Sequence, residues 1–328
     1  MDRARARAAA LAGAALLAAA SAAALALAAS PEGAPIRAMR WAGRDVDPVA
    51  AFGRAPTECL KIPVDPGEAL SVEVGRAAFR TPVLLGGQAA RAGLTCETCH
   101  QAGRTNPRFL FPGVSGAPGT ADVTDSLFST HRGDGIANPK PIPDLSGPKA
   151  KLTVDQAPAT GKLAPFIHGL ITQEFDGPEP PPAVLAGLAA YVRNLDPAAC
   201  PKAESEALTP GYFLADARRA VRAAQAEARL GDAPTAILML ASARSRLGMV
   251  DERYADPALA PLRQALRGAD RRLAAAQAAL RAHRPVQAPL AAWLSDSRAL
   301  EAGLGAAEPA SLFNPALLTQ AARRRLSG

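Results

Sequence analysis

The sequence GLTCETCHQAG occupies residues 93–103 and brings Cys96, Cys99 and His100 together. The whole chain of 328 residues has only four cysteines and four histidines, so this local concentration indicates a chemical site. A bare C-x-x-C pair can form a redox disulfide or half of a zinc site. A zinc site needs a second ligand pair at short spacing, and a thioredoxin-like motif needs a surrounding βαβ pattern. The sequence shows neither of these two features.

The adjoining histidine completes the pattern C-x-x-C-H, which is the attachment signature of c-type haem. In that chemistry two thiols add across the two vinyl groups of the porphyrin. The next residue then lies beneath the iron and can be its proximal ligand. We therefore predict one covalent haem attached through Cys96 and Cys99, with His100 as the proximal ligand of the iron.

The first thirty positions, MDRARARAAALAGAALLAAASAAALALAAS, have the pattern of a secretory signal peptide. Three arginines precede an uncharged Ala/Leu-rich run over residues 8–29, and Ala26-Leu27-Ala28 forms a small-x-small cleavage box. The run is also long enough to span a bilayer if it is not cleaved. Both alternatives predict an exported, periplasmic protein, and an uncleaved run would add membrane association. Export agrees with the motif, because haem c is normally attached outside the cytoplasm.

The charge balance is basic, with 37 Lys and Arg against 30 Asp and Glu, a net charge of +7. This excess favours acidic redox protein partners or anionic surfaces, or it places solvated arginines on helix faces. Since no basic cluster is interleaved with aromatic residues, we expect no nucleic acid partner.

The pattern along the chain predicts a mostly α protein with a loop-rich, cytochrome c-like haem domain followed by an α-helical bundle. Residues 67–80 and 180–197 have helical periodicity, and Gly- and Pro-rich loops lie between them. Beyond residue 205 long Ala/Leu/Arg-rich helices follow one another, and Asp232 can cap the second of them. The predicted regions are a signal peptide or anchor (1–30), a leading segment (31–66), a haem domain (67–200) and a helical bundle (205–328).

Cys59 and Cys200 lie on either side of the predicted haem domain. In an oxidising compartment two spare cysteines tend to pair. A bridge would join the start of this domain to its end, and the alternative is two separate buried thiols.

Residues 75–100, GRAAFRTPVLLGGQAARAGLTCETCH, resemble the haem-attachment segment of bacterial di-haem cytochrome c peroxidases and their MauG-like relatives. The stretches SLFSTHRGDG (126–135), APFIHG (164–169) and LAAYVRNLD (188–196) are similar to further elements of that family. The resemblance implies a cytochrome c domain over about residues 70–197. The family has two haem motifs and this chain has one, so the resemblance favours a mono-haem carrier or a protein that borrows electrons from a partner.

A low-spin carrier needs a second axial ligand, commonly methionine. The methionines are Met1, Met39, Met239 and Met249, and none lies between His100 and Cys200. His168 stands in an apolar context before the last helix of the predicted domain, so we predict it as the distal ligand. His131, Tyr191 or no protein ligand are the alternatives.

These observations predict electron transfer in the periplasm by one haem iron. One alternative is a peroxidase-like haem enzyme, for which Glu174 and Gln173 are the nearby acid/base candidates. The other is a haem-containing docking protein in which the bundle carries the function.

Overall fold

The computed structural model describes residues 36–146, 154–200, 202 and 205–326, with side chains only as far as residue 323. The predicted signal peptide, residues 1–30, lies outside the described residues. Within the described ranges the chain is mostly helical with a few short strands, which confirms the prediction of a mostly α protein.

Within residues 36–146 and 154–200 short helices alternate with loops, and this part carries the cysteine motif. Two of the helices start with a proline in the first turn after an aspartate cap. Asp47 Oδ1 accepts a hydrogen bond from Val49 N (2.9 Å), and Asp65 Oδ1 accepts one from Glu68 N (2.8 Å). The helices are α1 Pro48–Phe52, α2 Pro66–Phe79, α3 Gly87–Ala92, α4 Cys96–Cys99, α5 Leu163–Gly169 and α6 Pro182–Arg193.

Longer helices follow in the C-terminal part, and each starts near a proline or a capping side chain. Thr209 Oγ1 accepts from Tyr212 N (3.1 Å), and Asp232 Oδ1 accepts from Thr235 N (3.0 Å), which confirms the predicted Asp232 cap. These helices are α7 Pro210–Arg229, α8 Ala233–Asp251, α9 Ala260–Arg281, α10 Gln287–Ala306 and α11 Pro315–Leu326. Helix α7 packs against α8 and α10, and α9 packs against the same two helices.

Two small antiparallel strand pairs tie distant segments together. Strand β1 Arg54–Pro56 pairs with β4 Ser205–Ala207, with Arg54 opposite Ala207, and β2 Thr120–Ala121 pairs with β3 Lys140–Pro141. The β1–β4 pair fastens the leading segment to the chain just before α7. Strands this short carry almost no periodic signal, so the sequence did not predict them.

Helices α2 and α6 cross at two glycines, Gly75 and Gly187. A Cβ atom added to Gly75 would overlap the backbone carbonyl of Gly187. The close approach therefore requires glycine at this crossing. It packs α2, the long helix before the cysteine motif, directly against α6.

The main hydrophobic core runs continuously through α2, α6 and α7 to α10, and so crosses the predicted boundary near residue 200. All described residues belong to one compact unit that begins at residue 35. A smaller apolar cluster lies apart from the main core and includes Trp41, Leu94, Phe109, Phe128 and Ile142. In the described part of the chain we found no helix long and apolar enough to cross a membrane.

Candidate cofactor site

The cysteine motif is held in a single helical turn, α4, by a capping box. Thr98 N donates to Thr95 Oγ1 (3.2 Å) and Thr95 N donates to Thr98 Oγ1 (3.0 Å). These bonds satisfy two backbone donors at the start of the turn. Because residues three apart on a helix are neighbours, the turn brings Cys96 and Cys99 onto one face. The two threonines thus fix the geometry of the thiol pair.

His100 follows this turn and is fixed by a carbonyl group from a distant loop. Its Nδ1 atom lies 3.0 Å from the carbonyl oxygen of Pro143. Burial lowers the pKa of His100 to about 4, so the ring is neutral at pH 7. A neutral ring that donates Nδ1–H to Pro143 has its lone pair on Nε2. His100 therefore has one ring nitrogen free to bind a metal ion.

The loop that supplies the Pro143 carbonyl is itself anchored beside the motif. Leu145 N donates to Gly103 O (2.8 Å), and Thr105 Oγ1 donates to Ile142 O (2.8 Å). The ring of Phe79, at the end of α2, lies 6.4 Å from the His100 ring between centroids. These contacts limit the rotation of the imidazole.

The two thiols lie between apolar surfaces. Cys96 packs against the main core, whereas Cys99 packs against the smaller cluster. Burial raises the pKa of each thiol to about 12, so both are protonated at neutral pH. A reactive redox cysteine or a thiolate ligand has a lowered pKa and an electropositive environment instead. The apolar surroundings of the two thiols suit contact with an apolar group.

These features fit the requirements of a covalently attached haem. The apolar setting of the thiols suits a porphyrin, and the neutral His100 with its carbonyl partner suits an axial ligand. In the residues that the structure describes, no group of three or more His, Cys, Asp or Glu side chains is placed to hold a metal ion.

His168 lies on α5. Among the contacts of the described residues, none joins His168 to His100. Its Nε2 atom is 2.8 Å from Glu179 Oε2, and the two side chains are 35% and 75% exposed. A contact between side chains this exposed contributes about 0–1 kcal/mol, so it can be broken at little cost. The role of His168 as a distal ligand stays a prediction.

The two residues that are alternatives to His168 form hydrogen bonds with other side chains. His131 Nδ1 lies 3.0 Å from Asp176 Oδ1, and the His131 side chain is 62% exposed. Tyr191 is fully buried, and its hydroxyl donates to Glu58 Oε1 (2.7 Å). The Tyr191 hydroxyl therefore belongs to a buried polar network and His131 to the surface.

Glu174 and Gln173, the acid/base candidates, follow α5. The Oε2 atom of Glu174 is buried with no hydrogen-bond partner within the described residues, and burial raises the pKa of this carboxyl group. The side chain of Gln173 accepts from Arg132 Nη2 (2.7 Å). Phe175, next to Glu174, packs against the same small cluster as Cys99. Of the two candidates, Glu174 is the one with a buried side-chain oxygen that no described residue hydrogen-bonds.

Cys59 and Cys200 lie beside each other as free thiols. Burial, reinforced by a hydrogen bond with the Cys200 thiol, raises the pKa of Cys59 to about 11. Arg104 Nη2 also contacts Cys59 Sγ at 2.8 Å. The pairing of their segments explains the proximity, since Asp196 N donates to Cys59 O (2.9 Å). The disulfide stays a prediction.

A buried ionic network beneath α4 was not predicted from the sequence. Arg80, 3% exposed, contacts Glu58 (2.7 Å), Glu97 (3.6 Å) and Asp216 (3.8 Å). Arg246 Nε lies 2.8 Å from Asp216 Oδ2. The network joins the second position of the motif, Glu97, to the helices α7 and α8. The helical spacing of Glu73, Arg76 and Arg80 was the available signal, but it indicates an exposed charged face as readily as a buried one.

Comparison of the chain with protein-family models, curated proteins and solved structures found no significant match. The assignment of this site therefore depends on its own residues and their geometry.

Proposed function

We propose that this chain is an exported c-type cytochrome that binds one haem covalently and exchanges electrons with redox protein partners in the periplasm. One observation carries the proposal. The histidine directly after the thiol pair, His100, donates its Nδ1–H to the Pro143 carbonyl over 3.0 Å, which leaves Nε2 for iron. Histidines that bind metals usually make this kind of bond with the other ring nitrogen, which fixes the ring and raises its basicity.

The chain's own residues would hold the group in three ways. Cys96 and Cys99 would each add their S–H across a vinyl group, forming one C–S bond and one C–H bond without an oxidant or a leaving group. His100 would bind the iron through Nε2, and Phe79 would pack against the imidazole. When bound, the haem supplies a one-electron change of its iron. The low pKa of His100 keeps its ring available as a ligand at neutral pH.

We propose that His168 would be the second protein ligand of the iron. Its neighbours Phe166 and Ile167 are apolar, and Ile167 packs against the main core. Phe166 is 38% exposed. Apolar neighbours of this kind would limit the access of water to the iron. Two imidazoles would give a lower reduction potential than an imidazole with a methionine.

The second candidate function is a peroxidase-like haem enzyme, and Glu174 favours it. Peroxide chemistry needs an acid/base group whose pKa is near the working pH. Burial moves the pKa of the Glu174 carboxyl group upward, in the direction of that requirement. The resemblance of residues 75–100 to di-haem cytochrome c peroxidases points the same way. The single haem motif of this chain favours the carrier instead.

Absorption and EPR spectra of the haem-loaded, full-length protein distinguish the two functions. Low-spin, six-coordinate iron whose spectrum does not change on addition of peroxide supports the carrier. High-spin iron whose spectrum changes on addition of peroxide supports the enzyme, and Glu174→Gln should then slow that change at least tenfold. Glu206→Gln, which makes the same change at an exposed position of β4, is the matched control.

A further inference from the structure

A cavity of about 150 Å³ lies behind α4. The motif segment lines it with Thr95, Glu97 and Thr98, whereas Cys96 and Cys99 do not take part. At 100° per residue, positions 97 and 98 lie on a different face of a helical turn from positions 96 and 99. The cavity is therefore separate from the face that carries the thiols.

Three parts of the chain build the walls of this cavity. The leading segment contributes Trp41 and Phe52, the motif segment contributes Glu97, and helices α7 and α8 contribute Phe213 and Arg246. Such a site exists only when the C-terminal helices are packed against the motif region. This placement gives the C-terminal helices a role in ligand binding as well as in the core.

Arginines outnumber carboxylates around the cavity. Its acidic lining residues are Glu97 and Glu252. Of the six lining arginines, Arg80 and Arg246 are paired with Glu58 and Asp216, and four remain: Arg37, Arg54, Arg108 and Arg253. An anionic ligand is therefore favoured over a cationic one.

Arg253 is a buried arginine of this lining, 4% exposed, with no carboxylate of the described residues within ion-pair distance. Glu252 acts on its charge from farther away. Its Nη2 donates to the Phe52 carbonyl (2.7 Å), its Nη1 donates to the Leu312 carbonyl (3.4 Å), and its Nε has no partner in the described ranges. A buried cation with no counter-ion in direct contact is costly. A bound anion would offset that cost.

The rest of the lining combines uncharged polar side chains with apolar ones, several of them aromatic. Trp41, Phe52, Phe213 and Tyr212 provide ring surface, and Met249 adds a flexible apolar side chain. An apolar cavity of about 150 Å³ is large enough to hold benzene. Ring surface and positive charge together define one chemical class of ligand.

We propose that this cavity is a binding site for a small aromatic carboxylate, with its ring among the aromatic side chains and its carboxylate toward the arginines. The proposal does not depend on haem, because the cavity and the thiol pair lie on different faces of α4. Failure of either proposal leaves the other standing.

Isothermal titration calorimetry of the full-length protein with benzoate tests this inference. Benzamide, which has the same ring and no charge, and acetate, which has the charge and no ring, are the two control ligands. We expect benzoate to bind at least tenfold more tightly than either. Equal binding of benzoate and benzamide, or no binding of benzoate at millimolar concentration, would overturn the proposal.

Variants locate the site. Arg253→Met keeps an apolar side chain between Phe213 and Phe313 and removes the charge, so benzoate affinity should fall at least tenfold. If that variant does not fold, Arg37→Gln, at a half-buried position of the lining, should reduce benzoate affinity at least threefold. Arg272→Gln, on the surface of α9, should bind as the wild type does. A loss in Arg272→Gln as large as in Arg37→Gln would place benzoate elsewhere.

Discussion

Arg80 Nη2 donates to Glu58 Oε1 across 2.7 Å, and the two side chains are only 3% and 8% exposed. Glu58 also pairs with Arg76 and accepts from the Tyr191 hydroxyl. Burial alone would raise the pKa of Glu58, but Arg80 and Arg76 together hold it below its ordinary value. This carboxylate therefore joins the leading segment to α2 and α6 through charges that have little contact with water.

Glu58→Gln should lower the free energy of unfolding by about 3 kcal/mol at pH 7, because it removes the closest carboxylate from Arg76 and from the buried Arg80. Denaturant titration measures the loss. Arg272→Gln, which breaks the pair with Asp296 on exposed side chains, should cost no more than about 1 kcal/mol.

The difference in stability between the wild type and Glu58→Gln should depend on pH. A group whose pKa is lowered by folding stabilises the fold above its unfolded pKa, and this contribution is lost as pH falls through the folded pKa. The difference in stability between wild type and Glu58→Gln should therefore narrow as pH falls below 4.5, the ordinary value. A difference that stays constant from neutral pH to strongly acidic pH would contradict the role given to Glu58.

Gly75→Ala should destabilise the protein by at least about 2 kcal/mol, because the new methyl group would overlap the Gly187 carbonyl and backbone cannot move aside cheaply. Gly248→Ala is the matched control, since a Cβ at that position of α8 meets no atom within 4 Å. It should stabilise the protein by about 0.5–1 kcal/mol through helix propensity. Thermal or denaturant unfolding of both variants tests the α2–α6 crossing.

Helix positions could be predicted from the sequence because their signals are local. The apolar spacing around Val184 and Leu188 and the aspartate cap at Asp232 both involve residues within a few positions of one another. The proximity of Cys59 and Cys200 could also be proposed, since unpaired cysteines in an exported chain tend to meet.

The partners of the candidate site could not be predicted. His100 is fixed by Pro143, and Arg80 by Asp216, and both contacts depend on how distant segments pack. The cavity behind α4 likewise combines residues from Arg37 to Arg253. No period or motif connects positions so far apart in the chain.

A disulfide between Cys59 and Cys200 should form in the exported protein. Thiol titration of the unfolded, unreduced, haem-loaded protein should then find no free thiol, since Cys96 and Cys99 are alkylated by haem. Cys200→Ser should release one thiol, from Cys59. The bridge should stabilise the fold by about 2–5 kcal/mol relative to the double serine variant. Two free thiols in the wild type would exclude the bridge.

His168→Ala should convert the iron from low-spin to high-spin and open it to rapid binding of carbon monoxide or cyanide, because an axial ligand is lost. Absorption and EPR spectra measure the change. Glu179→Gln and His131→Ala should leave the spectrum unaltered, since the first alters only an exposed contact and the second an exposed side chain. A low-spin spectrum in His168→Ala, combined with a changed spectrum in His131→Ala, would show that His131 is the ligand and that the assignment of His168 is wrong.

The central claim is the covalent attachment of haem at the C-x-x-C-H motif. Its most direct test is the intact mass of the denatured protein after export from cells that carry haem-maturation machinery. The predicted mass is that of the polypeptide plus one haem, with the increment absent from the Cys96→Ala, Cys99→Ala double variant. A wild-type mass equal to the polypeptide alone, with any haem lost on denaturation, would contradict the claim.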